Sequence, residues 1–188
     1  MSQNLELRVP YGLSVHGEEE IDAVIEVLRT TTQMSKNVSS FEEKIAKLFS
    51  MNYGVMVNSG SSALFVLIES LNLPKGSEVI TPALTFATTV GCLIKNDLKP
   101  HFVDVGLDTY CADLTQIANA INSNTSAIIA PDLMGNICDW KEIQELAKKN
   151  NIKVICDSAD TLGAKLHGEP TGKYCDAAIT SFYGSHVI

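Results

Sequence analysis

The stretch KVICDSAD, residues 153–160, decides the fold because a strand-forming run leads directly into two carboxylates. A β-branched run without polar alternation is typical of a strand covered on both faces, as in a parallel sheet. In open parallel sheets the carboxyl ends of the strands gather at one edge, where ligands bind. We therefore expect Asp157 and Asp160 at a ligand edge, with helix capping or a structural hydrogen bond as the alternative role.

Working outward, similar short apolar runs alternate with helical patterns along the chain. Strands are predicted at 53–57, 78–81, 101–105, 127–130, 153–156 and 177–182, and helices at 62–71, 86–94, 113–121 and 139–149. This alternation predicts an α/β fold with a mostly parallel sheet and helices on both faces. Residues 1–34 are expected to form an N-terminal helical segment, and 35–188 one domain without internal repeats. The chain ends after a strand, where a parallel sheet normally continues, so it looks interrupted.

Composition excludes several classes of protein. The chain of 188 residues is 45% hydrophobic and 19% charged, which suits a packed core. Its net charge of −8 disfavours a nucleic-acid partner. No basic leader or long apolar span is visible, and five cysteines without a C-x-x-C pair suggest a reducing compartment, so we expect a soluble cytoplasmic protein. The spacing of the histidines predicts no metal site.

Two further segments follow predicted strands. The small-residue turn NSGSSAL, residues 58–64, opens a helix, and its amides and hydroxyls at Gly60 and Ser61 suit a phosphate, with a simple helix cap as the alternative. Phe86 stands among small residues after the next strand. It can stack on a flat ring, although a core position is the commoner role for such a residue.

The end of the chain carries a hydroxyl and an imidazole five residues apart. Ser181 suits a phosphate, and His186 can move protons near neutral pH. Taken alone, His186 is more often an ordinary polar residue.

In this order, the four segments resemble the DegT/DnrJ/EryC1/StrS family of sugar aminotransferases and dehydratases, which use pyridoxal phosphate on the fold-type-I scaffold. The resemblance spans about residues 35–188 and implies a large domain without its C-terminal small domain. It further implies a homodimer with shared active sites. By the resemblance, the coenzyme phosphate is bound by Gly60, Ser61 and Ser181. Phe86 covers the face of the coenzyme ring, and Asp157 forms a hydrogen bond with the ring nitrogen.

Three departures from the aminotransferase pattern point to one branch of the family. His186 stands where the aminotransferases carry the lysine that binds the coenzyme, and Asp160, counted with the cofactor-binding residues, stands in place of a glutamine. The turn LMGN at 133–136 replaces H-L-Y-G. The resemblance then implies a 3-dehydratase that uses pyridoxamine phosphate on a nucleotide-linked 4-keto-6-deoxyhexose, in deoxysugar or lipopolysaccharide biosynthesis. In that reaction His186 carries a proton from the coenzyme carbon C4′ to the departing oxygen.

Two alternatives stay open. The first is a sugar-nucleotide aminotransferase whose lysine lies elsewhere, with Lys165 and Lys173 as poor candidates. The second is a non-catalytic coenzyme-binding or assembly fragment. The nucleotide, the sugar, and the choice between a glutamate and an iron–sulfur electron route are not indicated by these residues.

Overall fold

A computed structural model of the protein describes residues 12, 15–33 and 36–186. Its helices are α1 (Glu18–Thr30), α2 (Lys36–Leu48), α3 (Gly60–Ser70), α4 (Ala87–Lys95), α5 (Leu114–Ala120) and α6 (Trp140–Asn150). Its strands are β1 (Glu78–Pro82), β2 (Lys99–Val103), β3 (Thr125–Pro131), β4 (Lys153–Asp157), β5 (Lys165–Leu166), β6 (Glu169–Pro170) and β7 (Ala177–Ile179). Within this described part, none of the helices has the length and apolar character needed to cross a membrane.

Five strands form one sheet in the order β2-β1-β3-β4-β7, and each neighbouring pair is parallel. Pro131 at the end of β3 lies opposite Asp157, which in turn lies opposite Ile179 of β7. The carboxyl ends of three adjacent strands are therefore level with one another. Strands β5 and β6 form a separate antiparallel hairpin.

The sheet is covered on both faces, because successive strand residues point to opposite sides. Ala127 and Ile129 pack in a core with the buried residues of α3 and α4. Ile128 and Ala130 pack on the other face, with the buried residues of α5 and α6. Cys156 also lies in this second core and is fully buried, as its place in the predicted strand suggested. The predicted α/β architecture is confirmed.

One predicted strand is wrong. Residues 53–57 do not form a strand, and they pair with no strand in the described part of the chain. Tyr53 and Val55 are 88% and 75% exposed, and the Met56 N–H donates to Glu42 Oε1 at 2.7 Å rather than to a neighbouring strand. An apolar run becomes a strand only where a partner supplies backbone hydrogen bonds, and none does so here.

Helix α1 lies within the predicted N-terminal helical segment, but it does not pack as an amphipathic helix normally does. α1 has no buried residue, and two of its apolar residues, Val24 and Leu28, are 59% and 67% exposed. Its start is fixed locally, since the Gly17 N–H donates to the Glu20 carboxylate at 2.6 Å. Acidic residues in the first turn also suit the positive end of the helix dipole.

Candidate functional site

The turn before α3 lies against the end of the last strand. Ser59 caps the helix and its Oγ accepts the Ser62 N–H at 3.1 Å. A Cβ atom on Gly60 would lie 3.1 Å from Ser181 Cβ and 3.3 Å from Ser181 Oγ. Glycine therefore permits a close approach that any larger side chain would crowd. The structure brings Gly60 and Ser181 together, as expected for two sides of one anion site.

The start of α3 is also tied to the start of α4. Ser61 Oγ donates to Thr88 Oγ1 at 3.1 Å, so a second hydroxyl stands beside the predicted phosphate turn. Thr88 was missed by sequence reasoning, although the row of threonines that surrounds Phe86 was a usable signal. Hydroxyls, backbone amides and a helix N-terminus are the groups that bind phosphate in proteins.

Phe86 lies immediately before α4 and is 67% exposed. The commoner interpretation, a core aromatic, is therefore wrong for this residue. A phenylalanine that the fold leaves uncovered at the carboxyl edge of the sheet is free to cover a flat ring.

Asp157 is the buried carboxylate at the end of β4. It is 5% exposed, and its Oδ2 accepts the Thr89 hydroxyl at 2.8 Å while Oδ1 accepts the Ala159 N–H at 3.3 Å. Burial raises the pKa of Asp157, the two hydrogen bonds oppose that rise, and the charge of Asp160 adds to it. A buried carboxylate in this state is stabilised by a cationic partner. Thr89, fully buried on α4, was missed by the sequence reasoning.

Asp160 and His186 lie next to each other. One carboxylate oxygen of Asp160, Oδ2, accepts the Met134 N–H at 3.0 Å, and the other, Oδ1, lies 3.7 Å from His186 Nε2. The side chain of His186 is only 22% exposed, and its ring meets the Tyr183 ring edge-on at 5.6 Å. Within the described residues, His186 Nδ1 and Ser185 Oγ are buried and have no hydrogen-bond partner. His186 thus turns inward, and it keeps one ring nitrogen unsatisfied.

A second buried carboxylate lies beside Asp157, at the end of the neighbouring strand. Asp132 is fully buried at the end of β3. Its Oδ1 accepts the Trp140 indole N–H at 2.8 Å and the Cys138 N–H at 2.9 Å, and its Oδ2 accepts the Thr161 hydroxyl at 3.3 Å. Burial raises the pKa of Asp132, while these donors act against the rise. Asp132 was also missed, although an aspartate directly after an apolar strand is the same signal that marked Asp157.

Backbone hydrogen bonds hold these strand ends in register. The Asp132 N–H donates to Asp157 O at 3.0 Å, and the Ser158 N–H donates to Ile179 O at 2.9 Å. The predicted residues therefore lie along one sheet edge, on elements that contact each other.

The residues at this edge fit a phosphorylated aromatic cation such as pyridoxal phosphate. Hydroxyls and a helix N-terminus stand at one end, an uncovered aromatic ring follows, and a buried carboxylate stands at the end of β4. A Cβ at Gly60 would crowd Ser181, and His186 Nδ1 has no hydrogen-bond partner among the described residues. Both features suit a pocket that closes tightly around a bound group.

Comparison with known proteins shows which family the chain resembles. Residues 14–188 match the model of the DegT/DnrJ/EryC1/StrS aminotransferase family. A dTDP-4-dehydro-2,6-dideoxy-D-glucose 3-dehydratase of Saccharopolyspora spinosa is 34% identical over 187 residues, which are 95% of this chain and 40% of that protein. A GDP-perosamine synthase of Escherichia coli O157:H7 is also 34% identical, over 95% of this chain and 49% of its own length.

Among solved structures, the GDP-4-keto-6-deoxy-D-mannose-3-dehydratase of Escherichia coli with bound hydrated PLP superposes with a TM-score of 0.82 and 30% identity. The match covers 86% of this chain and 43% of that one. The chain thus spans about half the length of the relatives it matches. The fold-type-I architecture is confirmed, and the relatives include both dehydratases and a perosamine synthase.

Proposed function

The chain belongs to the DegT/DnrJ/EryC1/StrS aminotransferase family, and from this membership we propose that it carries the coenzyme site of a 3-dehydratase. Its substrate would be a nucleotide-linked 4-keto-6-deoxyhexose, and its coenzyme pyridoxal or pyridoxamine phosphate. The observation that carries the proposal is the largely buried imidazole of His186, which lies beside Asp160; by the resemblance, this histidine stands where the aminotransferases carry their lysine.

The coenzyme would be held by groups from three segments. Gly60 and Ser61 at the start of α3, together with Ser181 after β7, would bind the phosphate. Phe86 would cover the ring. When bound, the coenzyme supplies an electron sink joined to an amine that condenses with the sugar ketone.

Asp157 would bind the ring nitrogen and keep it protonated. Burial makes the ionised form of Asp157 costly, and a positive charge beside it offsets that cost. Thr89 fixes the carboxylate by its hydrogen bond to Oδ2, which leaves Oδ1 with only the long contact to the Ala159 N–H. The carboxylate is therefore oriented before any ligand arrives.

His186 would act as the acid and base of the reaction. An imidazole cannot form the stable imine that a lysine amine forms with an aldehyde, but it can hold and release a proton near neutral pH. In this role it delivers a proton to the C3 oxygen of the sugar as the C3–O bond breaks, so that the hydroxyl leaves as water. The same ring can take up a proton again for the next turnover.

The alternative within the family is a sugar-nucleotide aminotransferase, and one observation favours it: the GDP-perosamine synthase is as similar to this chain as the 3-dehydratase is. That chemistry needs a lysine at the coenzyme. Lys165 is exposed on the β5–β6 hairpin, and Lys173 pairs with Glu169 at 2.9 Å.

Reduction with borohydride in the presence of pyridoxal phosphate, followed by peptide mapping, separates the two reactions. We expect no coenzyme-modified lysine in the wild-type protein and a modified residue 186 in His186→Lys. A wild-type protein modified at Lys165 or Lys173 would instead favour the aminotransferase.

A direct assay completes the test. We expect the purified protein, given pyridoxamine phosphate and a nucleotide-linked 4-keto-6-deoxyhexose, to release a sugar without its 3-hydroxyl, and His186→Lys to lose this activity. A sugar that gains an amine would contradict the dehydratase, and coenzyme binding without either product would favour the non-catalytic alternative.

A further inference from the structure

Asp160 joins two separate segments at the sheet edge, the turn at 133–136 and the end of the described chain. We propose that it is a positioning residue that selects the ring tautomer of His186. Nε2 then carries the proton, and Nδ1 keeps the free lone pair of a base. This inference rests on the acid–base role proposed above for His186.

The carboxylate is anchored on one side. Its Oδ2 accepts the Met134 N–H at 3.0 Å, in a turn where Met134 and Gly135 both have positive φ, 55° and 86°. That backbone conformation is closed by a hydrogen bond from the Asn136 N–H to Leu133 O at 3.0 Å. Because Oδ2 is already used, Oδ1 is the oxygen that is left for His186.

The imidazole is held on its own side as well. The backbone N–H of His186 donates to the backbone carbonyl of Tyr183 at 2.8 Å, and the Tyr183 ring packs edge-on against the imidazole. The distance of 3.7 Å from Nε2 to Asp160 Oδ1 is that of a charge pair. It exceeds the usual length of a hydrogen bond by roughly 0.7 Å.

The chemistry of the two partners then decides the tautomer. An ionised carboxylate only accepts hydrogen bonds, so the ring nitrogen that faces it is the one that carries the proton in the neutral imidazole. Nδ1 is consequently the acceptor, and in the described residues it is buried without a partner. A general base needs such a lone pair on the nitrogen that accepts the proton.

The tautomer is measured directly by nitrogen NMR of the chain labelled at histidine, with His186→Gln used to assign the signal among four histidines. We expect wild-type His186 to be the Nε2–H form. In Asp160→Asn the amide oxygen can still accept from Met134, but the charge is lost, and we expect the ratio of Nε2–H to Nδ1–H to fall by about fivefold or more. Asp97→Asn is the matched control, because Asp97 pairs with Lys75 at 2.9 Å on an exposed surface.

A wild-type His186 in the Nδ1–H form overturns the proposal, as does an unchanged ratio in Asp160→Asn. The wild-type tautomer tests the proposal even if Asp160→Asn does not fold. Asp160→Glu keeps the negative charge and should retain the wild-type tautomer. With the sugar substrate, Asp160→Asn should lower kcat more than it raises KM. If the tautomer responds as expected but the wild-type protein removes no 3-hydroxyl, the pairing stands and the proposed function fails.

Discussion

Replacing Thr89 by valine tests how the buried carboxylate of Asp157 is held. Valine has nearly the shape of threonine, so the substitution removes the hydroxyl that donates to Asp157 Oδ2 at 2.8 Å and leaves the packing almost unchanged. A hydrogen bond to a charged group contributes about 1.5–3 kcal/mol. For a chain of this size that loss lowers Tm by roughly 3–12 °C.

Thr81 provides a matched control. Thr81 and Thr89 are both fully buried, but among the described residues Thr81 Oγ1 has no hydrogen-bond partner. We therefore expect Thr81→Val to leave the free energy of unfolding unchanged or to raise it by up to about 1 kcal/mol, because an unsatisfied hydroxyl is removed. Urea denaturation of the two variants beside the wild-type protein measures the difference.

The effect of Thr89→Val should depend on pH in a defined direction. Burial raises the pKa of Asp157, and the Thr89 hydroxyl opposes that rise, so its removal raises the folded-state pKa further while the unfolded-state pKa stays the same. The lost stability is therefore greatest where the carboxylate is ionised, and it shrinks as the pH falls below the folded-state pKa. Equal losses in Thr89→Val and Thr81→Val, or a loss that does not change with pH, would refute this account of Asp157.

Two further predictions concern the scaffold. Gly54→Ala should lower the free energy of unfolding by about 1–3 kcal/mol, because its Cβ would lie 2.6 Å from the Glu42 carbonyl oxygen. Gly91→Ala, whose Cβ would have nothing within 4 Å, should raise the free energy of unfolding by about 0.5–1 kcal/mol. Thermal unfolding measures both variants. A neutral Gly54→Ala would show that the loop before α3 is free to move. Trp140→Phe removes the indole N–H that donates to Asp132 Oδ1 at 2.8 Å, and it should lower the free energy of unfolding by about 2–4 kcal/mol. Burial raises the pKa of Asp132 and the indole N–H opposes that rise, so the lost stability should be larger at neutral pH, where the carboxylate is ionised, than in acid. Urea denaturation measures the difference, and the opposite order would contradict the role of this bond.

Much of the architecture could be predicted from local patterns. The strands around Ile128 and Ile155 and the helices between them were predicted correctly, because a buried βα unit has a characteristic spacing of apolar residues. That spacing can be recognised without knowing which segments pack against the unit. The run at 53–57 has a similar rhythm but lies exposed, since a strand also requires a partner. No local pattern tells whether that partner is present.

For the site, the sequence alone determined which chemistry was available: small and hydroxyl residues before a helix, an aromatic, a carboxylate after a strand, and a histidine five residues after a serine. Only the tertiary structure decided which of these groups meet. Thr89 and Asp157 are 68 residues apart in the chain and Asp160 and His186 are 26 apart, yet each pair lies in contact at one sheet edge. Burial and pairing depend on the packing of distant segments, so the raised pKa of Asp157 and the orientation of His186 had to come from the fold.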